Sequence, residues 1–272
     1  MISVLNSVSQ LEAENALSST QASLQNSLTQ LSTGLKINSG ADDPAGISIA
    51  AGLGANIAAL TQSSQNASDS VGLLQTADGA LSQVTNLLDQ AVTLATEAAN
   101  GQLTAAQSTA ADTQYQSIMA EITQIGTATN FNGTAVFSAT PITTFTSDGT
   151  AGGTTTVSTT TGALSSTTLA LNTTDLTSVA KASAALTALT AAVNTVAATR
   201  GAIGASVNQL TADTSVENTE VTNLTSAQNN VQDADIGTTV ARMTQYNVLE
   251  QTGMAALSQS NQAEQTILKL LQ

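Results

Sequence analysis

The sequence has 272 residues, of which 41% are hydrophobic but only 2% aromatic, and it lacks cysteine, histidine and tryptophan. Five basic residues against nineteen acidic ones leave a formal charge of -14, which repels phosphate backbones and anionic lipid surfaces, so neither nucleic acid nor membrane is an expected partner. Without histidine or cysteine there is no Ser-His-Asp triad, thiol nucleophile or thiolate metal site. The chain is expected to be neither an enzyme nor a carrier of a metal or cofactor.

Ala, Leu and Val supply most of the apolar surface, which suits thin helix-on-helix seams better than a deep globular core. The opening, Met1 to Ser7, has no basic residue and no apolar run long enough for a signal peptide or a membrane span, which by itself predicts a cytoplasmic protein. Next comes a stripe at helical spacing, Leu24, Leu28, Leu31 and Leu35. It stops at Ser39-Gly40-Ala41-Asp42-Asp43-Pro44-Ala45-Gly46, which reads as a hinge: glycine turns the chain, Asp43 can cap the next helix, and Pro44 suits its first position. A cap and helix-dipole role outweighs any reading of Asp42 and Asp43 as an acid and base pair.

From Leu53 a 4-3 heptad spacing runs through Ile57, Leu60, Ser64, Ala67, Val71, Leu74, Asp78, Leu81, Thr85, Leu88, Val92, Ala95 and Ala99. Asn100-Gly101 reads as a helix stop, after which Ala111, Tyr115, Ile118, Ile122 and Ile125 make a shorter seam. The middle of the chain is rich in Thr, Ser and Gly. Its run from Thr154 to Thr161, β-branched and bounded by glycines, predicts exposed hairpins or a short sheet.

A second long heptad series occupies Ala182, Leu186, Leu189, Val193, Val196, Arg200, Ile203, Val207, Leu210, Thr214, Glu217, Val221, Leu224, Gln228 and Val231. Two matching series predict that each is the other's partner. The last stripe, through Val240, Met243, Met254, Leu257, Leu268 and Leu271, is broken at core positions by Asn247, Glu250, Asn261 and Glu264. Terminal helices so patterned are marginal alone and are expected to order against neighbours. The fold class that results is mainly α: a long coiled-coil bundle formed by N- and C-terminal arms, with a small β-hairpin insert.

The run Leu31-Ser32-Thr33-Gly34-Leu35-Lys36-Ile37-Asn38-Ser39-Gly40-Ala41-Asp42-Asp43-Pro44-Ala45-Gly46 resembles the N-terminal signature of bacterial flagellins. The likeness continues at Asn56-Ile57-Ala58-Ala59-Leu60-Thr61-Gln62, Asn66-Ala67-Ser68-Asp69, Thr76-Ala77-Asp78-Gly79-Ala80-Leu81 and Asn130-Phe131-Asn132-Gly133, and near the end at Ser260-Asn261-Gln262 and Ile267-Leu268-Lys269-Leu270-Leu271. It implies a subunit that polymerises into a flagellar filament for swimming, and it divides the chain into an inner-tube helix and hinge (1–43), outer-tube helices (44–130), a variable hairpin segment (131–175), an outer-tube helix (176–233) and an inner-tube helix (234–272).

Further implications of the resemblance concern partners and place. The chain would associate with copies of itself in an open helical polymer, and with a flagellar export apparatus, an export chaperone, a filament cap and hook-junction proteins. It would lie outside the cell, exported through a type III route without a cleaved signal peptide. Leu24, Leu28, Leu31, Leu35, Met254, Leu257, Leu268 and Leu271 would supply inner-tube contacts. Leu94 and Glu121 match a leucine and a glutamate with which flagellins engage a Toll-like receptor, while Gln90 stands where the family has an arginine, which predicts weak activation. The rival readings are a hook-filament junction protein and a secreted helical adhesin with a Thr-rich binding insert.

Overall fold

The structure, a computed structural model, describes residues 2–147 and 155–270, without the side chains of 2–7, 9, 264 and 267–270. Among them are five helices, α1 (Ile2–Thr33), α2 (Pro44–Ala99), α3 (Ala105–Ala128), α4 (Val179–Gln232) and α5 (Ile236–Leu270). Between α3 and α4 lie four short strands, β1 (Asn130–Phe131), β2 (Thr134–Ala135), β3 (Ile142–Phe145) and β4 (Thr156–Thr159), paired as two antiparallel hairpins, β1 with β2 and β3 with β4. The expected helical bundle with a small β insert is the fold observed. The chain forms two compact units, one of residues 56–223 and one of residues 1–55 with 224–272.

In the 56–223 unit, α2 and α4 run antiparallel, as the pairings Ser63 with Glu217 and Asp78 with Arg200 require. Every seventh residue is buried: Leu60, Ala67, Leu74, Leu81, Leu88 and Ala95 on α2, and Ala182, Leu189, Val196, Ile203, Leu210 and Glu217 on α4. The other half of the expected seam is corrected by one residue. Val71, Asp78, Thr85 and Val92 are only half-buried, while Ala77, Val84, Ala91 and Ala98 are buried, and on α4 Ala185 and Ala192 replace Leu186 and Val193.

The reason is that this core is wider than a two-helix seam: residues of α2 and α4 share one cluster with Tyr115, Ile118, Met119 and Ile122 of α3 and with the insert. Small alanines let a further layer approach, and the larger residues at the flanks pack against it partly exposed. Each fully buried Leu or Ile here contributes roughly 1.5–3 kcal/mol.

Asp78, Thr85, Arg200 and Thr214, polar residues that interrupt the heptads, are partnered. Arg200 donates to Asp78 through Nε at 2.8 Å and through its terminal nitrogen at 3.3 Å, a forked pair half open to water. Thr85 and Thr214 hydroxyls donate to the carbonyls of Leu81 and Leu210, one turn back, at 2.9 and 2.8 Å. These residues keep the seam continuous at little cost.

The insert is less exposed than its composition predicts. In β3 and β4, Thr144, Val157 and Thr159 turn inward, and the Thr144 hydroxyl donates to Ser70 of α2 at 2.7 Å. The segment after Gly162, expected to continue the β region, instead folds as turns whose Leu164, Leu169, Leu171 and Leu176 enter the core. Gly126 makes room for it: a β-carbon there would collide with the carbonyl of Leu164. Thr154 and residues 148–153 before it lie outside the described residues.

Glu217 is a buried seam residue held to Ser63, whose hydroxyl is 2.5 Å from its Oε1 and 3.2 Å from the carbonyl oxygen of Phe145 in β3. Its Oε2 has no hydrogen-bond partner. Burial, opposed by the Ser63 hydrogen bond and reinforced by Asp213 and Glu220, pushes this carboxyl above the ordinary glutamate range. A raised folded-state value stabilises the fold fully below the unfolded value of about 4.3 and loses that contribution as pH rises through the folded value. The Glu217→Gln subunit, which cannot ionise there, is therefore expected to gain thermal stability relative to the parent as pH rises from 4 to 8; a pH-independent difference in melting temperature contradicts this.

Candidate self-assembly surface

In the unit made of the two chain ends, α1 and α5 lie antiparallel. Gln10 Nε2 donates to Asn261 Oδ1 at 3.2 Å and Gln21 Nε2 donates to Glu250 Oε1 at 3.1 Å, so two of the polar residues expected to break the C-terminal stripe serve as rungs between the helices. Asn247 is half-buried, and the side chain of Glu264 lies outside the described residues.

The turn between α1 and α2 is built by its side chains. Asp42 Oδ2 accepts from the backbone N–H groups of Asn38 and Ser39, at 3.0 and 2.8 Å, and from the Ser39 hydroxyl. These bonds, the one from Asn38 first, hold its carboxyl below the usual range. Asp43 Oδ1 caps α2 by accepting from Ala45 and Gly46 N–H at 3.1 and 2.9 Å, as expected of the residue before Pro44. A β-carbon on Gly46 would collide with the Asp43 carboxylate and lie 2.6 Å from Ile37, so a larger residue there would have to displace the capping side chain and that buried isoleucine. Opposite, Leu35 bridges Asp233, Lys36 N–H donates to Gln232 and Ala234 N–H to Gly34, and Asp235 caps α5 through the N–H and hydroxyl of Thr238.

Beyond this joint the unit buries little. Among the described residues its buried apolar side chains are Ile37 and Ala50, neither of them on α1 or α5, where only Ser27 and Thr239 are buried. Of the residues expected at the assembly surface, Leu24, Leu31, Leu35 and Leu257 are half-buried, Leu24, Leu31 and Leu257 lying on the face shared by α1 and α5. Leu28 and Met254 are exposed, by 42% and 50%. The side chain of Leu268 and all of Leu271 lie outside the described residues.

Stripe reasoning missed Val8, Leu11, Val248 and Leu249, which are at least as exposed as Leu28. Helical period picks out the face that two helices of one chain share, whereas these exposed side chains lie off that stripe. The available signal was their bulk at positions where a lone surface helix would be polar. In the other unit, Leu94 packs half-buried against the core, whereas Gln90 and Glu121 are exposed.

Residues 4–141 match the bacterial flagellin N-terminal helical region, and residues 186–271 match the bacterial flagellin C-terminal helical region. The chain belongs to the bacterial flagellin family. It is similar to a flagellin of Halalkalibacterium halodurans, 31% identical over 248 residues that cover 91% of each chain. It is also similar to a phase 1 flagellin of Salmonella naestved, 37% identical over 139 residues, or 51% of this chain and 28% of that longer one. The crystal structure of Bacillus cereus flagellin resembles it with a TM-score of 0.49 at 30% identity, covering 56% of this chain and 88% of that one.

As a flagellin, the chain is a structural subunit that polymerises with copies of itself into the extracellular flagellar filament and serves motility. The junction-protein and adhesin readings are not favoured.

Proposed function

We propose that this flagellin joins its neighbours through α1 and α5. The observation that carries the reading is that neither helix buries an apolar side chain among the described residues, while Leu28, Met254, Leu11 and Leu249 stay open to water. Two helices of this length would be marginal on so little burial, and apolar contact with other subunits supplies what the single chain lacks. Residues 1–43 and 234–272 then form the inner tube, 44–130 and 176–233 the outer tube, and 131–175 the outward segment. Leu24, Leu31, Leu35 and Leu257 hold the pair together, and Leu268 and Leu271 extend its contacts.

Weakly held ends also suit passage of an unfolded chain through a type III export apparatus, without cleavage and with an export chaperone. Cap and hook-junction proteins bound the polymer at its two ends. Seeded polymerisation followed by electron microscopy tests the central part: the intact chain is expected to form hollow filaments, and a chain lacking residues up to Leu35 and the last helix is expected to stay soluble. Filaments from the truncated chain would contradict it.

Leu94 and Glu121 are the proposed contacts for an animal Toll-like receptor. Gln90 cannot supply the forked, charge-assisted donor of an arginine, a loss of about 2 kcal/mol or more at an interface centre. A receptor reporter assay should give weak activation, rising on Gln90→Arg; full potency in the parent chain would refute the assignment.

A further inference from the structure

The two flanks of the α1–α5 pair differ, and their difference specifies how one subunit meets the next. Along the shared face the seam positions are Gln10, Leu17, Leu24 and Leu31 alternating with Ala13, Thr20 and Ser27 on α1, and Thr239, Tyr246 and Gly253 alternating with Met243, Glu250 and Leu257 on α5. In an antiparallel pair, residues that follow the second seam position of each heptad lie together on one flank, and residues that precede the first lie together on the other.

The first flank therefore carries Glu14, Leu28, Val240 and Met254, all exposed, together with the rung residues Gln21 and Asn261 and the half-buried Asn247. The second carries Arg242 and Leu249 with Ala16 and Ala256, also exposed. One flank projects Leu28, Val240 and Met254 with an acid; the other projects Leu249 among small residues with a base. Neither Glu14 nor Arg242 has a hydrogen bond or ion pair among the described residues. The described cations elsewhere are engaged: Lys36 with the carbonyl of Asn230, Lys181 with Asp175, and Arg200 with Asp78.

We propose that the first flank of one copy packs against the second flank of the next, with Glu14 of one paired to Arg242 of the other. This rests on the reading that α1 and α5 are the assembly helices and specifies their partner surface. Because the two flanks are different, the contact is heterologous and leaves a free flank after every addition, as an open polymer requires. The occupant is a second copy of this chain, since each flank carries exposed apolar side chains and the charge that the other lacks, and in a chain of net charge -14 an unpaired arginine is a scarce partner for an acid.

The register also fixes an offset. With Gln21 opposite Glu250, Arg242 lies opposite Thr29, about fifteen residues from Glu14, so joining the two shifts adjacent copies by roughly 22 Å along the helix axis at 1.5 Å per residue.

Charge reversal in the full chain tests the pairing. Glu14→Arg and Arg242→Glu alone are each expected to slow elongation from parent seeds by roughly tenfold or more, because like charges then face each other. The double variant E14R/R242E should elongate from its own seeds at near the parent rate. Glu12→Arg makes the same charge change off the flank and should elongate like the parent. Single variants that elongate normally, a double variant no better than the singles, or an E12R defect equal to that of E14R would each overturn the pairing while leaving polymerisation through α1 and α5 intact. A truncated chain that still polymerises would instead remove the reading beneath it.

Discussion

Two helices lying side by side can each bury only one stripe, and the stripe shared by α1 and α5 is filled with Gln10, Ser27, Thr239, Glu250 and Gly253 as much as with leucine. Apolar burial on that pair is therefore thin, while the entropy of ordering helices of 32 and 35 residues is not. The helices at the chain ends are thus held mainly by rungs such as Gln21 to Glu250 and by the joint around Ile37 and Asp42. A subunit so built is well buried in its 56–223 unit and thinly buried at its ends, and the proposed assembly through α1 and α5 rests on that asymmetry.

The other unit escapes the constraint because α2 and α4 share their core with α3 and the insert. Leu74, Leu81, Leu88, Leu189, Ile203 and Leu210 are fully buried there, and Tyr115 and Leu171 close the cluster from the added layer. Its polar residues are placed for specificity: Asp78 with Arg200 and Ser63 with Glu217 tie particular heptads of α2 and α4 together, so the two helices cannot slide by one repeat without separating both pairs.

Much of this could be read from the sequence where a single physical rule governs. Heptad spacing marked α2, α3 and α4, Asn100-Gly101 marked the end of α2, where Gly101 has φ of +71°, and Asp43-Pro44 marked the start of α2. The seam was misread by one residue in half its positions because periodicity assumes one partner, whereas Ala77 and Ala91 belong to a cluster that also takes in α3 and the insert. The inward faces of the hairpin were hidden for a similar reason, since a run of threonines has the same composition whether or not Ser70 lies within reach of Thr144. Val8, Leu11, Val248 and Leu249 could be singled out only after the stripe that α1 and α5 spend on each other was known.

Hydrogen exchange read segment by segment, in the soluble subunit and in filaments grown from it, bears most directly on the claim that the ends are completed by neighbours. The account predicts amides of α1 and α5 exchanging with little protection in the subunit while those of α3 and the 56–223 parts of α2 and α4 are protected, and a gain of about a hundredfold or more in α1 and α5 on polymerisation. Protection of α1 and α5 equal to that of α3 in the isolated subunit would contradict it.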